Sequence, residues 1–183
     1  MMTPAPRLET RDLVLRGPEK RDLAPFTQWV TTSSRMAHVG GNGSAQDAWR
    51  GFIAGIGHWQ WHGYGFFTLE DRATGQTAGR VGLLNHVEWP APELAWHLFD
   101  GYEGRSLAYQ AACAVRYWAG TAFGLSSLIS LIAPENARSA ALAQRLGASA
   151  GEMVNVGGEN VVIFTHLAHD DPRAQHQLAE VTA

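Results

Sequence analysis

The stretch ELAWHLFDGYEGRSLAYQAACAV, Glu93–Val115, joins two periodicities through a turn that contains two glycines. From Glu93 to Phe99, Glu93, Ala95 and His97 share one face while Leu94, Trp96 and Leu98 share the other, the two-residue period of a strand. From Ser106 onward, Leu107, Ala111, Val115, Trp118 and Ala122 step by four, four, three and four, an amphipathic helix closed by Gly124. Open α/β sheets gather their ligands at such strand-to-helix turns. The first N–H groups of a helix lack internal partners and carry the positive end of its dipole, so they receive anions such as pyrophosphate. Two readings of the turn therefore stand side by side. Gly101 and Gly104 could simply make a tight turn that Ser106 caps, which is the simpler reading of the stretch alone. Alternatively, bare backbone at Gly104, with the charge of Arg105 and the hydroxyl of Ser106, receives an anion. A P-loop would end in Gly-Lys-Ser/Thr and a dinucleotide fold would carry an early G-x-G-x-x-G, and neither pattern is present.

Outward from this stretch the chain reads as an α/β order. LETRDLVLRGP, Leu8–Pro18, alternates as a first strand and ends at Gly17-Pro18. A helix follows on Leu23, Phe26 and Val30, with Pro25 tolerable only near its start. After HVGGNG, Ser44 caps a second helix with Asp47 three residues on, a stripe of Trp49, Phe52, Ile53, Ile56 and Gln60, and a stop at Gly63. Tyr64 to Glu70 and Ala78 to Val87 form a hairpin around DRATGQ. Beyond the opening stretch, LSSLISLIA is a short strand. Asn136 caps a helix that runs through Leu146 to a stop at Gly147, and a hairpin turns at Gly157 and Gly158. Residues 168–183 read as a frayed polar tail.

At 183 residues, with 45% hydrophobic and 17% charged side chains, the chain suits one compact domain spanning residues 1–183. A net charge of -3 gives no general attraction to nucleic acid or anionic lipid. No eighteen-residue apolar run occurs and the opening residues lack a signal peptide's apolar core, so no membrane partner is expected. The single cysteine, Cys113, lies within the helical apolar run and reads as buried packing, in keeping with a cytoplasmic location. His58 and His62 are spaced four apart, but no third ligand or HExxH pattern joins them, so no metal is expected.

Taken together, the motifs resemble the GNAT superfamily of N-acetyltransferases. GYEGRSLAYQA resembles the cofactor loop of its ribosomal-protein N-terminal acetyltransferase (RimJ/RimL-like) branch, and PENARSAALAQRLGA resembles that branch's Asn-opened helix. LETRDLVLRGPEKRDL and ELAWHLF are similar to its first strand and helix and to its fourth strand, so the likeness runs from Arg7 to about Leu167. The resemblance implies a GNAT-like α/β (α+β) fold, with a mixed, mostly antiparallel sheet of about six to seven strands flanked by about four helices. It implies acetyl-CoA as cosubstrate, with the acetyl group passing to a primary amine of a protein N-terminus or a small molecule. The loop from Gly101 through Gly104, Arg105, Ser106, Leu107 and Ala108 would hold the CoA pyrophosphate. The backbone at Leu98 and Phe99 would run beside pantetheine and polarise the thioester, Asn136 would bond pantetheine, and Ser139 would lie near the sulfur. A homodimer is compatible with this reading. The sequence departs from the branch pattern at Gly101, Glu103, Ser106, Gln110 and Ala148.

Acetyl transfer needs a neutral amine, a polarised carbonyl and a proton for the departing thiolate. The resemblance makes Glu93 the candidate general base, since family members often carry a carboxylate there, with His97 on its face as a packing or hydrogen-bonding residue. Where many members place a tyrosine acid this chain has Ala143, so Ser139 is the candidate acid. The first two helices and the hairpins would form the acceptor site, a region rich in Trp29, Trp49, Trp59, Trp61, His38, His58 and His62, with HVGGNG as a lid. Two other outcomes share this site: an aminoglycoside acetyltransferase, and a domain that binds acyl-CoA without turnover.

Overall fold

A computed structural model describes residues 5–183. The described residues form an eight-stranded sheet in the order β1-β2-β3-β4-β5-β6-β8-β7. Its strands are β1 (Leu8–Glu9), β2 (Leu13–Arg16), β3 (Phe66–Asp71), β4 (Thr77–Leu84), β5 (Glu93–Leu98), β6 (Ile129–Ile132), β7 (Ser149–Val156) and β8 (Glu159–Thr165). Every neighbouring pair is antiparallel except β5 and β6. Five α-helices accompany it: α1 (Leu23–Thr32), α2 (Ala45–His62), α3 (Leu107–Phe123), α4 (Ala137–Arg145) and α5 (Pro172–Thr182). The mixed, mostly antiparallel sheet agrees with expectation. The extra strand arises because the first segment folds back on itself at Thr10, whose N–H bonds the Leu13 carbonyl.

The core lies between the sheet and α3. Leu13, Leu15, Phe67, Leu69, Val81, Leu83 and Leu94 meet Leu107, Ala111 and Val115, all fully buried. Alanines at 108, 111, 112, 114 and 119 let α3 lie close to the strands, while its opposite side is covered by α5, so the helix is enclosed well beyond one stripe. The exposed end, including Ala122, falls outside the buried stripe expected from spacing.

That enclosure corrects the expectation of a frayed tail. Asp171 caps α5 through the Arg173 N–H, Pro172 occupies its first position, and Ala174 and Val181 are buried. Fully buried Arg116 of α3 donates to the Leu146 carbonyl at 2.8 Å and to Gln177 of α5 at 2.6 Å. A Cβ at Gly120 would stand 2.0 Å from the His169 ring, so the chain leading into α5 presses against α3 where only glycine fits.

Helix α2 begins as expected, with Ser44 and Asp47 exchanging both bonds of a capping box, and ends at Gly63 in the left-handed conformation. Its buried face is rotated from the expected stripe. Trp49 and Ile53 are 53% and 44% exposed, while Ala48 and Trp59 are buried. The Trp59 indole N–H donates to the Phe66 carbonyl at 2.8 Å, and this bond sets the phase of the helix.

Candidate active site

Strands β5 and β6 pair only at Glu93 and Ile129, after which they diverge. The divergence leaves the far half of β5 without a neighbour on that side. A cleft of about 610 Å³ opens there, walled by Trp96, His97 and Leu98 of β5, by Gly104 and residues 106–109 of the loop and helix start, and by α4. Trp29 of α1, with Arg35, His38 and Val39 beyond it, forms the remaining wall.

The loop and α3 make the cleft's anion-binding end. Gly104 adopts φ +75° and Ser106 φ 58°, the single non-glycine residue among those described with a left-handed backbone. Ser106 does not cap α3 through its side chain, contrary to the capped-turn reading. Its Oγ instead accepts from Arg145 Nη1 at 2.9 Å. The N–H groups opening α3 therefore face the cleft mouth without a side-chain cap. Ser106, one of the departures from the branch pattern, holds a backbone shape that glycine adopts freely, at a cost of about 1 to 2 kcal/mol. Ser106→Gly is expected to hold or raise stability in denaturant unfolding, whereas Ser106→Val, branched at Cβ, is expected to lose about 1 to 2 kcal/mol.

Of the expected cofactor residues, Leu98, Gly104, Ser106, Leu107, Ala108, Asn136 and Ser139 come together around the cleft. Arg105 does not. Its Nη1 donates at 2.6 Å to Asp71, whose side chain is 1% exposed, so the expected phosphate charge is turned to the other side of the loop. Phe99 packs with Phe26 and Trp29 away from the cleft, its N–H bonded to the Ala78 carbonyl of β4. Gly101 shapes the turn at φ +92° and does not line the cleft.

Arg138 and Arg145 of α4, with Arg35, supply the positive charge that Arg105 does not. The spacing Arg138, Leu142, Arg145 already marks one face of α4, a signal readable in the sequence. The Arg145 guanidinium sits 4.0 Å from the Tyr109 ring centroid, anchoring it beside the helix start. Burial first and the charge of Arg138 second lower the pKa of Arg35, which places the two cations in one field. Glu103, the carboxylate that would repel phosphates, is held by Arg35 and by the Gly101 N–H at 2.8 Å.

The chemical end of the cleft corrects the assignment of the base. Glu93 does not line the cleft. Its Oε2 accepts from the Trp89 indole at 2.7 Å and its Oε1 from the Leu131 N–H at 3.1 Å, so it staples β5 to β6 at the point where they part. Burial raises its pKa against those two bonds. A raised folded-state carboxyl costs stability as pH climbs from the unfolded value through the folded one. Glu93→Gln removes that cost, so its deficit in melting temperature relative to wild type is expected to shrink as pH climbs above the ordinary carboxylate value. The acidic limb of its pH–rate profile is expected to persist.

Ser139 is in place. Its N–H donates to Asn136 Oδ1 at 3.2 Å, and its Oγ accepts from the Trp96 indole at 3.3 Å, which leaves the hydroxyl proton free for the cleft. Ala143 is fully buried among Ile132, Ala148 and Phe164, so no side chain reaches the cleft from that position. Of the expected acceptor-side residues, Trp29 and His38 line the cleft. His58 is half-buried with both ring nitrogens satisfied, donating from Nδ1 to the Tyr64 carbonyl at 2.8 Å and accepting at Nε2 from the Asn85 N–H at 3.0 Å. The glycine-rich segment is pinned by Asn42, whose side chain donates to the Val30 and Ser33 carbonyls.

The profile of the family described as "Acetyltransferase (GNAT) domain" matches residues 12–149. The chain belongs to the GNAT acetyltransferase family. A GNAT chain acts with acetyl-CoA, and the parted strands, open helix start and α4 cations described above fit that cosubstrate. The fold is similar to that of an acetyltransferase from Agrobacterium tumefaciens, at 30% identity and TM-score 0.81, covering 91% of this chain and 97% of that one. It is also similar to Mycobacterium smegmatis RimJ in complex with CoA-disulfide, at 17% identity and TM-score 0.72, covering 98% and 94%. The ribosomal-protein-S5-alanine acetyltransferase of Vibrio fischeri matches at 16% identity and TM-score 0.66, covering 90% and 98%. Among the described residues of this GNAT protein, no helix is long and apolar enough to cross a membrane.

Proposed function

We propose that the protein transfers the acetyl group of acetyl-CoA to an α-amine, on a protein N-terminus or a small molecule, by direct attack on the thioester. The charge of the cleft carries this reading: Arg35, Arg138 and Arg145 line it against the single carboxylate Glu103, which is already paired. With no free carboxylate among the cleft's lining residues to act as base, the acceptor must arrive neutral. An α-amine of pKa about 8 supplies the free base roughly two hundredfold more readily at neutral pH than a lysine side chain of pKa about 10.4.

The residues then act as follows. The first N–H groups of α3 and the Arg138–Arg145 face hold the phosphates, and the unpaired backbone of β5 near Leu98 aligns the pantetheine arm. The Ser139 hydroxyl hydrogen-bonds the leaving sulfur while the proton lost by the amine passes to water. A covalent acyl-cysteine route is disfavoured because Cys113 is buried and burial pushes its thiol up to about 11. The aminoglycoside reading is disfavoured because the cleft's one lining carboxylate, Glu103, is already paired, which leaves no acidic group there to receive a polycation.

An assay of free CoA release over a panel of amines tests the proposal. Faster release with α-amino acceptors than with a lysine side chain or an aminoglycoside is expected. Acetyl-CoA binding without release for any amine would assign the chain to non-catalytic sensing instead.

A further inference from the structure

Next to the cleft, β4 and β5 place an arginine and a histidine directly opposite each other. Arg80 and His97 are cross-strand partners, and Arg80 Nε–H donates to His97 Nδ1 at 2.9 Å. The Arg80 guanidinium lies between two phenyl rings, 4.4 Å from the centroid of Phe26 and 4.3 Å from that of Phe66, and forms no ion pair among the described residues. The His97 ring is held on its other sides by Trp29, at 5.0 Å between centroids, and Phe66, at 5.3 Å. The backbones are pressed together here, since a Cβ at Gly79 would stand 2.2 Å from the His97 carbonyl oxygen. His97 walls the cleft, and its Nε2 makes no hydrogen bond among the described residues.

An arginine donates and never accepts, so the nitrogen facing Arg80 must carry a lone pair. The proton of the neutral imidazole then sits on Nε2. We propose that Arg80 is a positioning residue that locks His97 in its Nε2–H form, so that His97 serves as a hydrogen-bond donor to an oxygen of the acceptor and does not take the amine's proton. The inference rests on reading the cleft as the acetyl-transfer site, because it assigns the wall beside which the acceptor binds. Other features agree. Burial, and after it the charge of Arg80, keeps His97 neutral, and burial lowers Arg80 only to about 9, still protonated at neutral pH. The groups packed on the ring are Arg80 from β4, Trp29 from α1 and Phe66 from β3, none of them a carboxylate that would favour the imidazolium. The indole N–H of Trp29, on the same wall, is buried without a partner, a second donor available to a ligand oxygen.

Two measurements on the full chain test this. Two-bond ¹H–¹⁵N correlation of the histidine rings at neutral pH, with the His97 signals assigned by their loss in His97→Gln, should show the Nε2–H tautomer in wild type. In Arg80→Met the Nδ1–H form should become populated alongside it. A wild-type Nδ1–H tautomer, or a tautomer unmoved by Arg80→Met, would overturn the proposal. Because the spectrum requires no turnover, it separates this inference from the proposed acetyl transfer. In turnover, with acetyl-CoA and alanyl-alaninamide as acceptor, His97→Ala should raise the acceptor KM about tenfold or more with kcat less affected. Glutamine, whose side-chain NH₂ falls near Nε2, should recover most of that loss, and asparagine, whose amide falls near Nδ1, should not. Equal loss in the alanine and glutamine variants would mark His97 as a base and contradict the assignment.

Discussion

Gly104→Val is expected to weaken acetyl-CoA binding at least about tenfold, and up to about a hundredfold, while leaving the protein folded. Gly104 holds φ +75°, a backbone state in which a side chain branched at Cβ costs about 1 to 3 kcal/mol. No protein atom lies within 4 Å of where its Cβ would stand, so the added side chain meets no packing obstacle. It would project into the cleft mouth, above the uncapped start of α3, in the space a phosphate needs to reach the backbone. Strain and obstruction therefore act on the loop and not on the core. Gly104→Ala, with a smaller group at the same backbone angle, is expected to show the smaller part of the effect. Calorimetric dissociation constants for the two variants, alongside unchanged circular dichroism, check this result. An unaltered constant for the valine variant would remove the loop from the binding site.

Asp22→Asn is expected to cost about 3 to 5 kcal/mol of folding stability, the largest single effect outside the cleft. The Asp22 carboxylate is 2% exposed and collects five hydrogen bonds. Arg16 Nη1 and Nη2 donate at 2.8 and 2.9 Å, the Glu19 N–H at 2.8 Å, Thr68 Oγ1 at 3.1 Å and Thr77 Oγ1 at 2.9 Å. One side chain thus ties β2, β3 and β4 to the turn that launches α1, the helix that carries Trp29 to the cleft wall. Asparagine keeps the shape but leaves the Arg16 guanidinium buried beside a neutral amide, and its NH₂ faces donors where the carboxylate had an acceptor. Burial alone would raise the Asp22 pKa, but the bonds from Arg16, Glu19 and Thr77 outweigh it and hold the carboxyl below its ordinary value. The stabilisation is therefore present above the unfolded-state pKa and is lost as pH falls through the folded-state one. Urea unfolding at neutral and acidic pH should show the wild-type advantage over Asp22→Asn shrinking with acid, and a gap independent of pH would contradict the ion-pair explanation.

Much of the fold follows from local rules. The Ser44–Asp47 capping box, the left-handed stops at Gly63, Gly124 and Gly147 and the alternation along β5 are decided by residues a few positions apart. The cofactor loop and the Asn136 cap belong to the same class, and Gly104, Ser106, Asn136 and Ser139, which the resemblance groups at the cofactor site, line one cleft. Three misreadings turn on tertiary contacts that periodicity does not encode. Arg105 turns from the cleft because Asp71, 34 residues earlier, offers a buried carboxylate. Glu93, the base that the resemblance implies, has both oxygens occupied, by the Trp89 indole four residues earlier and by the Leu131 N–H on a strand reached only after α3. The phase of α2 is set by the Trp59 bond to Phe66 rather than by its apolar count. The final helix differs in kind. Asp171, Pro172 and the Ala174, Leu178, Val181 spacing were legible signals, and overall polarity obscured them.

The central claim is that the cleft between the parted strands binds acetyl-CoA through the uncapped start of α3 and the α4 arginines. Isothermal titration of acetyl-CoA into the full chain, at low and high salt, tests it most directly. The expected result is one site per chain, weakened by added salt as screening of the arginines requires, and weakened again in Gly104→Val. Absence of binding at millimolar acetyl-CoA, or binding indifferent both to salt and to Gly104→Val, would contradict it.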